Sequence, residues 1–239
     1  MTATHSINSY DTVIISDVHL GSSLSEAKKL LCTLKGIKFN KLILLGDMFA
    51  DLNFSRLNKE HWEVLSYLRK LSNVKTGIEV IWVYGNHDLG IVNVLSHLVG
   101  IEVVDKYVWM ADNKRCIALH GHQFDPAISR WQYISDLVSW WFLQVQKLPG
   151  FKKHFPRWLD WLSTYFQNLS KIVEVKALKY ARMHGYDVIC CGHTHEAMHS
   201  QCDGIDYFNS GCWVKTTGTY IAFNGPIIEI IQLDSGTKT

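Results

Sequence analysis

The sequence predicts an α/β protein, a largely parallel β-sheet layered with helices, and three observations predict it. Five apolar runs each stop at a side chain able to bind a metal, strand and helix signals alternate through the first half, and a 239-residue chain that is 47% hydrophobic can bury a large core. The reading is one domain over residues 1–239, with a helical insertion over about residues 128–184.

The first strand is read over Thr12 to Ser16 and delivers Asp17 and His19; Ser25 and Glu26 then open a helix to about Leu34. The second strand, Leu42 to Leu45, is followed by Gly46 and Asp47, and Asn58 is the expected N-cap of an amphipathic helix to Lys70. The third, Val80 to Tyr84, stops at Gly85-Asn86-His87-Asp88, before a helix over about Ile91 to Leu98. Strand, helix, strand spacing of this kind needs crossover connections, which is why a parallel sheet follows. Open α/β sheets place their sites beyond the carboxyl ends of the strands, where these motifs fall.

Arg115 to Leu119 delivers His120, and then the pattern changes. From Ile128 to His184 the chain reads as helical, broken around Leu148-Pro149-Gly150 and Phe155-Pro156. Strands return at Val188 to Cys191, before His193 and His195, and at Ile205 to Asn209, Tyr220 to Asn224 and Ile227 to Gln232, with Asn224-Gly225 as a hairpin turn. The insertion is expected to lie over the site.

A formal charge of +2 gives no general polyanion signal, and Met1 to Tyr10 lack the apolar core of a secretory signal. Six cysteines without a CxxC spacing fit a reduced, cytoplasmic protein, and Cys116, Cys190 and Cys191 fall inside strands as small hydrophobes. No apolar stretch is long enough to span a bilayer.

A single histidine at a strand end is usually a satisfied polar residue. Five successive strand ends bearing Asp17, His19, Asp47, Asn86, His120, His193 and His195 describe a site. Mixed oxygen and nitrogen ligands suit Mn, Fe, Co or Zn better than Ca, with Mn2+ the first expectation. Seven ligands exceed the need of one ion and suit two sharing a carboxylate, for which Asp47 is the choice. Such a pair clamps both oxygens of an in-line displacement at phosphorus and supplies hydroxide near neutral pH. His87, expected to aim away from the metals, would protonate the leaving oxygen, with Asp88 orienting it and Asn86 between ligand and catalytic roles. His5, His61, His97, His154, His184 and His199 show no such placement and are read as structural.

Asp17-Val18-His19, Gly46-Asp47, Gly85-Asn86-His87-Asp88, His120-Gly121-His122 and Gly192-His193-Thr194-His195 together resemble the signature of the calcineurin-like metallophosphoesterase superfamily, over about residues 13 to 195. The resemblance implies a sandwich of two mixed β-sheets flanked by helices and a dinuclear hydrolytic centre. It also implies that Asp17, His19, Asp47 and His195 hold one metal, and Asp47, Asn86, His120 and His193 the other. Within the superfamily the chain is most similar to the UDP-2,3-diacylglucosamine pyrophosphohydrolase group of lipid A synthesis, through Asp17 to Gly21, His120 to Asp125, the insertion, and Asn209 to Trp213. It departs from that group at His87, where arginine is common, and at His122, where an acid is usual.

The insertion is rich in aromatic residues, Trp131 among them, and holds basic residues including Lys152, Lys153 and Arg157. Aromatic anchors beside cations suit an anionic lipid surface, or a pocket for acyl chains beside a diphosphate. The plainer reading is a packing face with a solvated basic side. His122, Asp125, Trp131, Lys152, Lys153 and Arg157 are the expected substrate contacts, and the expected partner is a phosphate-containing small molecule or lipid-linked nucleotide, for a protein peripheral on the inner membrane. Basic and aromatic residues also serve single-stranded nucleic acid, which the near-neutral charge disfavours. A cyclic nucleotide, nucleotide or phosphoprotein is the alternative substrate, and a non-catalytic scaffold the alternative class.

Overall fold

A computed structural model of the chain describes residues 8–92, 96, 100–126, 156–214 and 218–233, with backbone alone for residues 91 and 156–167. In chain order the main elements are β1 (Ser9–Ile15), α1 (Ala27–Gly36), β2 (Lys38–Leu45), α2 (Lys59–Leu71), β3 (Glu79–Val83), β4 (Val103–Val104), β5 (Tyr107–Ala111), β6 (Lys114–Ala118), α3 (Pro156–His184), β7 (Val188–Cys191), β8 (Met198–Cys202), β9 (Ile205–Asn209), β10 (Gly218–Asn224) and β11 (Ile227–Leu233).

The strands form two sheets rather than one parallel sheet. The first has the order β11-β10-β1-β2-β3-β4 and the second β5-β6-β7-β9-β8. Parallel pairing is confined to β1-β2-β3-β4 and to β6-β7-β9, and hairpins add antiparallel strands at the edges. The mixed sandwich is the form the family resemblance implies, and the purely sequential reading of a largely parallel sheet is corrected by the hairpins β5-β6 and β8-β9. Their loops are Asp112-Asn113 and Asp203-Gly204, both residues of each with positive φ, the backbone that two-residue hairpins require.

Alternation along the central strands builds the layers. Val13 and Ile15 of β1 with Leu42 and Leu44 of β2 face α1 and α2, whereas Ile14, Ile43 and Leu45 face the second sheet. On that sheet Cys116, Ala118, Val188 and Cys190 turn inward, while Ile117, Leu119, Ile189 and Cys191 pack against Ala177, Leu178 and Ala181 of α3. The molecule is layered helix, sheet, sheet, helix, and both faces of the central strands are buried, so they read as continuous apolar runs. The later part of α3 is thus a flanking layer of the sandwich. All six cysteines are free.

Asn58 caps α2 as expected, in a reciprocal box with His61. His61 Nδ1 also accepts from Gly21 N at 3.2 Å, a structural role that ties α2 to the loop after β1. The helix expected over Ile91 to Leu98 falls largely outside the described residues, as do Trp131, Lys152 and Lys153; of Arg157 only the backbone, in α3, is described.

Candidate metal centre

The loops after β1, β2, β3, β6 and β7 meet at one end of the sandwich. Ladder-like bonds continue past the strands and hold them in step: Asp17 N donates to Gly46 O at 3.1 Å, His19 N to Asp47 O at 3.1 Å, Leu119 N to Cys190 O at 3.1 Å and Gly192 N to His120 O at 2.9 Å. Close packing of these loops needs residues without side chains. A Cβ on Gly85 would lie 2.1 Å from Asp47 Oδ1 and 2.5 Å from Asp47 N, so glycine alone lets the β3 loop approach the β2 loop.

Five of the expected ligands, Asp17, His19, Asp47, His193 and His195, have φ between 50° and 70°. L-residues with side chains avoid this left-handed region, at roughly 1–2 kcal/mol each. The surrounding hydrogen bonds impose it, and its effect is to turn successive side chains into the same space.

Two clusters result. Asp17, His19 and His195 place one ligand atom each within 4.8 Å of one another, and so do Asp47, His120 and His193. In the first, His195 Nε2 lies 3.2 Å from Asp17 Oδ1 and 3.1 Å from His19 Nε2. In the second, His120 Nε2 lies 3.3 Å from Asp47 Oδ2, and His120 Nδ1 is 2.8 Å from Leu45 O. Since a carbonyl only accepts, Nδ1 carries the proton and Nε2 is free to ligate.

The donor set fits a pair of divalent cations. Asp17 Oδ1, Asn86 Oδ1 and His120 Nε2 are buried and make no aligned hydrogen bond, an arrangement that costs free energy unless something positive sits among them. Electrostatics says the same. Burial opposes the charges of Asp47 and Asp17, yet His120 and His87 beside the first, and His195 and His120 beside the second, hold both carboxyls below their usual range. Burial likewise opposes a charged His120, yet Asp47 and Asp17 raise its imidazole to about 10, so without an ion a second proton sits on Nε2, the position a metal would take. Two buried carboxylates make this a place where positive charge is favoured. His19, by contrast, is pushed down to about 3 by burial and by His195, which leaves a neutral ring suited to ligation.

His87 does not aim away from the centre. Its Nε2 lies 3.8 Å from Asp47 Oδ2, its ring centroid 5.2 Å from that of His19, and its N–H donates to Asp47 Oδ1 at 3.0 Å. Its Nδ1 meets Ala50 O at 2.8 Å. The Asp88 carboxylate instead accepts from Phe49 N at 3.4 Å, Gly85 N at 3.1 Å and Trp82 Nε1 at 3.5 Å. It braces the two ligand loops, and burial with the nearby Asp47 charge pushes it up to about 6.

His122 sits beside His120, with ring centroids 5.5 Å apart, and near Tyr84 at 6.3 Å. Burial and His120 push it down to about 3. Asp125 Oδ2 is 2.9 Å from His193 Nε2, so it lies against a candidate ligand and its expected contact with substrate is replaced by one within the chain. Sequence reasoning gave no role to Ser16, Ser210 or Thr219, which wall the centre: Ser16 Oγ is 2.6 Å from Ser210 Oγ, and Thr219 Oγ1 donates to Ser210 O at 2.7 Å. Asn209 completes the wall, donating to Gly192 O at 2.8 Å and Thr194 Oγ1 at 3.1 Å. The signal was present, because Ile205 to Asn209 reads as a further strand that ends in a polar side chain.

The family described as calcineurin-like phosphoesterase matches residues 10–197. No curated protein matches the chain. Among solved structures, YfcE, a phosphoesterase from E. coli, aligns with a TM-score of 0.51 at 18% identity, over 93% of this chain and 97% of that one. An archaeal phosphodiesterase aligns at 0.48 and 17% identity, over 93% and 99%. Vps29 complexed with Zn2+ from Entamoeba histolytica aligns at 0.46 and 15% identity, over 94% and 99%. These likenesses concern the fold.

Proposed function

The chain belongs to the calcineurin-like phosphoesterase family, and from that premise we propose that this metal-dependent phosphoesterase is a pyrophosphohydrolase of a UDP-linked lipid such as UDP-2,3-diacylglucosamine, releasing UMP. The observation that carries the hydrolytic reading is the pair of clusters Asp17-His19-His195 and Asp47-His120-His193, whose buried Asp17 Oδ1 and His120 Nε2 make no aligned hydrogen bond.

Asp17, His19 and His195 would hold one ion, and Asn86, His120 and His193 the other, with Asp47 shared. A divalent pair, Mn2+ being our first choice, lowers the pKa of water and screens the charge of a phosphate. The chain does the rest. Ala50 O fixes His87 by its Nδ1 and turns Nε2 toward the centre, where a protonated His87 donates to the departing phosphate oxygen. Asp47 orients the same residue through its main-chain N–H. Asp88 keeps the β2 and β3 loops in register, so that Asn86 and His87 face the same phosphate from one turn.

A lipid-linked substrate is supported by the outer side of α3. Ile172, Val175 and Met183 are exposed at 39%, 59% and 72%, at helical spacing on one face, with Lys171 and Lys179 exposed nearby. That is the composition of a helix resting on an anionic membrane surface. Near the centre, exposed Leu52 and Leu89 flank the loop of His87, apolar ground for an acyl chain. This reading puts the protein at the cytoplasmic face of the inner membrane.

The test is UMP release from UDP-2,3-diacylglucosamine with Mn2+, against chelated protein. Metal-dependent release at enzymatic rates is the expected result. Hydrolysis of an aryl phosphodiester without UMP release would refute the lipid substrate and keep the chemistry.

A further inference from the structure

We propose that Asp125 is a positioning residue for the metal centre: it takes the proton-bearing Nε2 of His193 and so presents Nδ1 of that ring to the ion held with Asp47 and His120. The inference rests on the two-metal reading above and says how one ligand is aimed.

His193 is held from two sides. Its main-chain N–H donates to Asp17 Oδ2 at 2.9 Å, and its Nε2 lies 2.9 Å from Asp125 Oδ2. The side chains are 9% and 5% exposed, so water does not compete for the bond. A neutral imidazole carries one N–H and one lone pair, and a carboxylate only accepts, so the proton is on Nε2 and the lone pair on Nδ1. His120 is fixed the opposite way, by Leu45 O at Nδ1, and offers Nε2. The two rings of one cluster therefore present different nitrogens, each selected by what holds the other.

The fold builds this partner deliberately into place. After His120 the chain turns at Gly121, φ 109°, where a Cβ would come within 3.6 Å of His193 Cβ. The turn closes with Phe124 N to Gly121 O at 3.0 Å and Asp125 N to His122 O at 3.1 Å. Helix α3 pins it from behind, through Lys176 Nζ donating to Phe124 O at 2.9 Å and the Phe124 and Tyr180 rings 5.7 Å apart. A carboxylate behind a metal-binding histidine orients the ring and raises its basicity, and removing one typically costs about 10- to 100-fold in metal affinity.

The experiment compares metal-stripped wild type, Asp125→Ala and Asp125→Asn by calorimetric titration with Zn2+ and by elemental analysis. A long-range 1H–15N spectrum of the histidine rings follows in the Zn2+ form. Wild type is expected to bind two ions, with His193 metal-bound at Nδ1 and protonated at Nε2. Asp125→Ala should bind one ion normally and the other about 10- to 100-fold more weakly. Asp125→Asn, whose amide oxygen still accepts from Nε2, should recover much of that loss, which a general structural defect would not do. Unchanged affinity for both ions in Asp125→Ala, or wild-type His193 ligating through Nε2, overturns the proposal. Fewer than two ions on the wild type would overturn the two-metal reading itself.

Discussion

Carboxylate meets imidazole both on the second sheet and at the strand ends of this sandwich, and the two places differ in how their polar atoms are answered. On the second sheet Asp206 accepts from Lys114 Nζ at 3.0 Å, His199 Nε2 at 3.1 Å and Gln201 Nε2 at 3.1 Å, with the His199 ring stacked on Phe208 at 4.2 Å. Both carboxylate oxygens are answered within the chain. At the strand ends Asp17 and Asp47 face histidines too, but Asp17 Oδ1, Asn86 Oδ1 and His120 Nε2 stay without an aligned bond. The residue types match; satisfaction does not. A cluster that answers its own polar atoms is structural, whereas one that leaves buried donors unanswered is built around something from outside.

The contrast can be broken or sharpened by substitution, beginning with the largest effect. Asp47→Ala removes the carboxylate proposed to serve both ions, so elemental analysis should find at least one ion lost and no turnover; full occupancy would refute its shared role. His87→Ala should cut kcat by about 100- to 10,000-fold while both ions stay bound, and loss of metal instead would make His87 a ligand. Gly85→Ala drives a methyl group into Asp47, and thermal unfolding should report about 1–3 kcal/mol of destabilisation with weaker metal binding. Asp206→Asn is the mildest change. It should cost about 1 kcal/mol and leave metal content and kcat unaltered.

The same substitution carries a pH signature. Burial raises the Asp206 carboxyl, but the bonds from Lys114 and His199 outweigh it and hold it below its usual 3.8. A depressed folded pKa gives stability that is present above the unfolded value and lost as pH falls through the folded one. Wild type should therefore lose more stability than Asp206→Asn on acidification below about pH 4, measured by chemical unfolding. Parallel curves would remove Asp206 from the acid-sensitive groups.

Much of the candidate centre was legible because its Asp, Asn and His residues each follow a buried strand, and buried strands write themselves as Val, Ile and Leu runs. Leu42 to Leu45 could hardly be anything else before Gly46-Asp47. What was not legible follows from the same physics. Met198 to Cys202 lies at a sheet edge with polar, partly exposed residues, so no apolar run marks it, and only Asp203-Gly204 signals the hairpin. Tyr107 to Ala111 carries a strand-like composition, and it was the Asp112-Asn113 turn that went unrecognised. The orientation of His87 depends on a main-chain carbonyl, that of Ala50, and a carbonyl leaves no mark in a sequence. Asp88, adjacent to His87 in the chain, braces the loops instead.

The left-handed backbones of Asp17, His19, Asp47, His193 and His195 also bear on how such a protein ages in evolution. At His195, whose side chain is 39% exposed, glycine would adopt the same backbone without the penalty that a side chain brings. His195→Gly should therefore raise the melting temperature of the chelated protein even as it removes a ligand. A duplicated gene freed from hydrolysis would be rewarded for erasing its centre, one glycine at a time, because stability and function pull these positions in opposite directions. In this chain all five positions hold Asp or His, so the backbone strain is kept at every one of them.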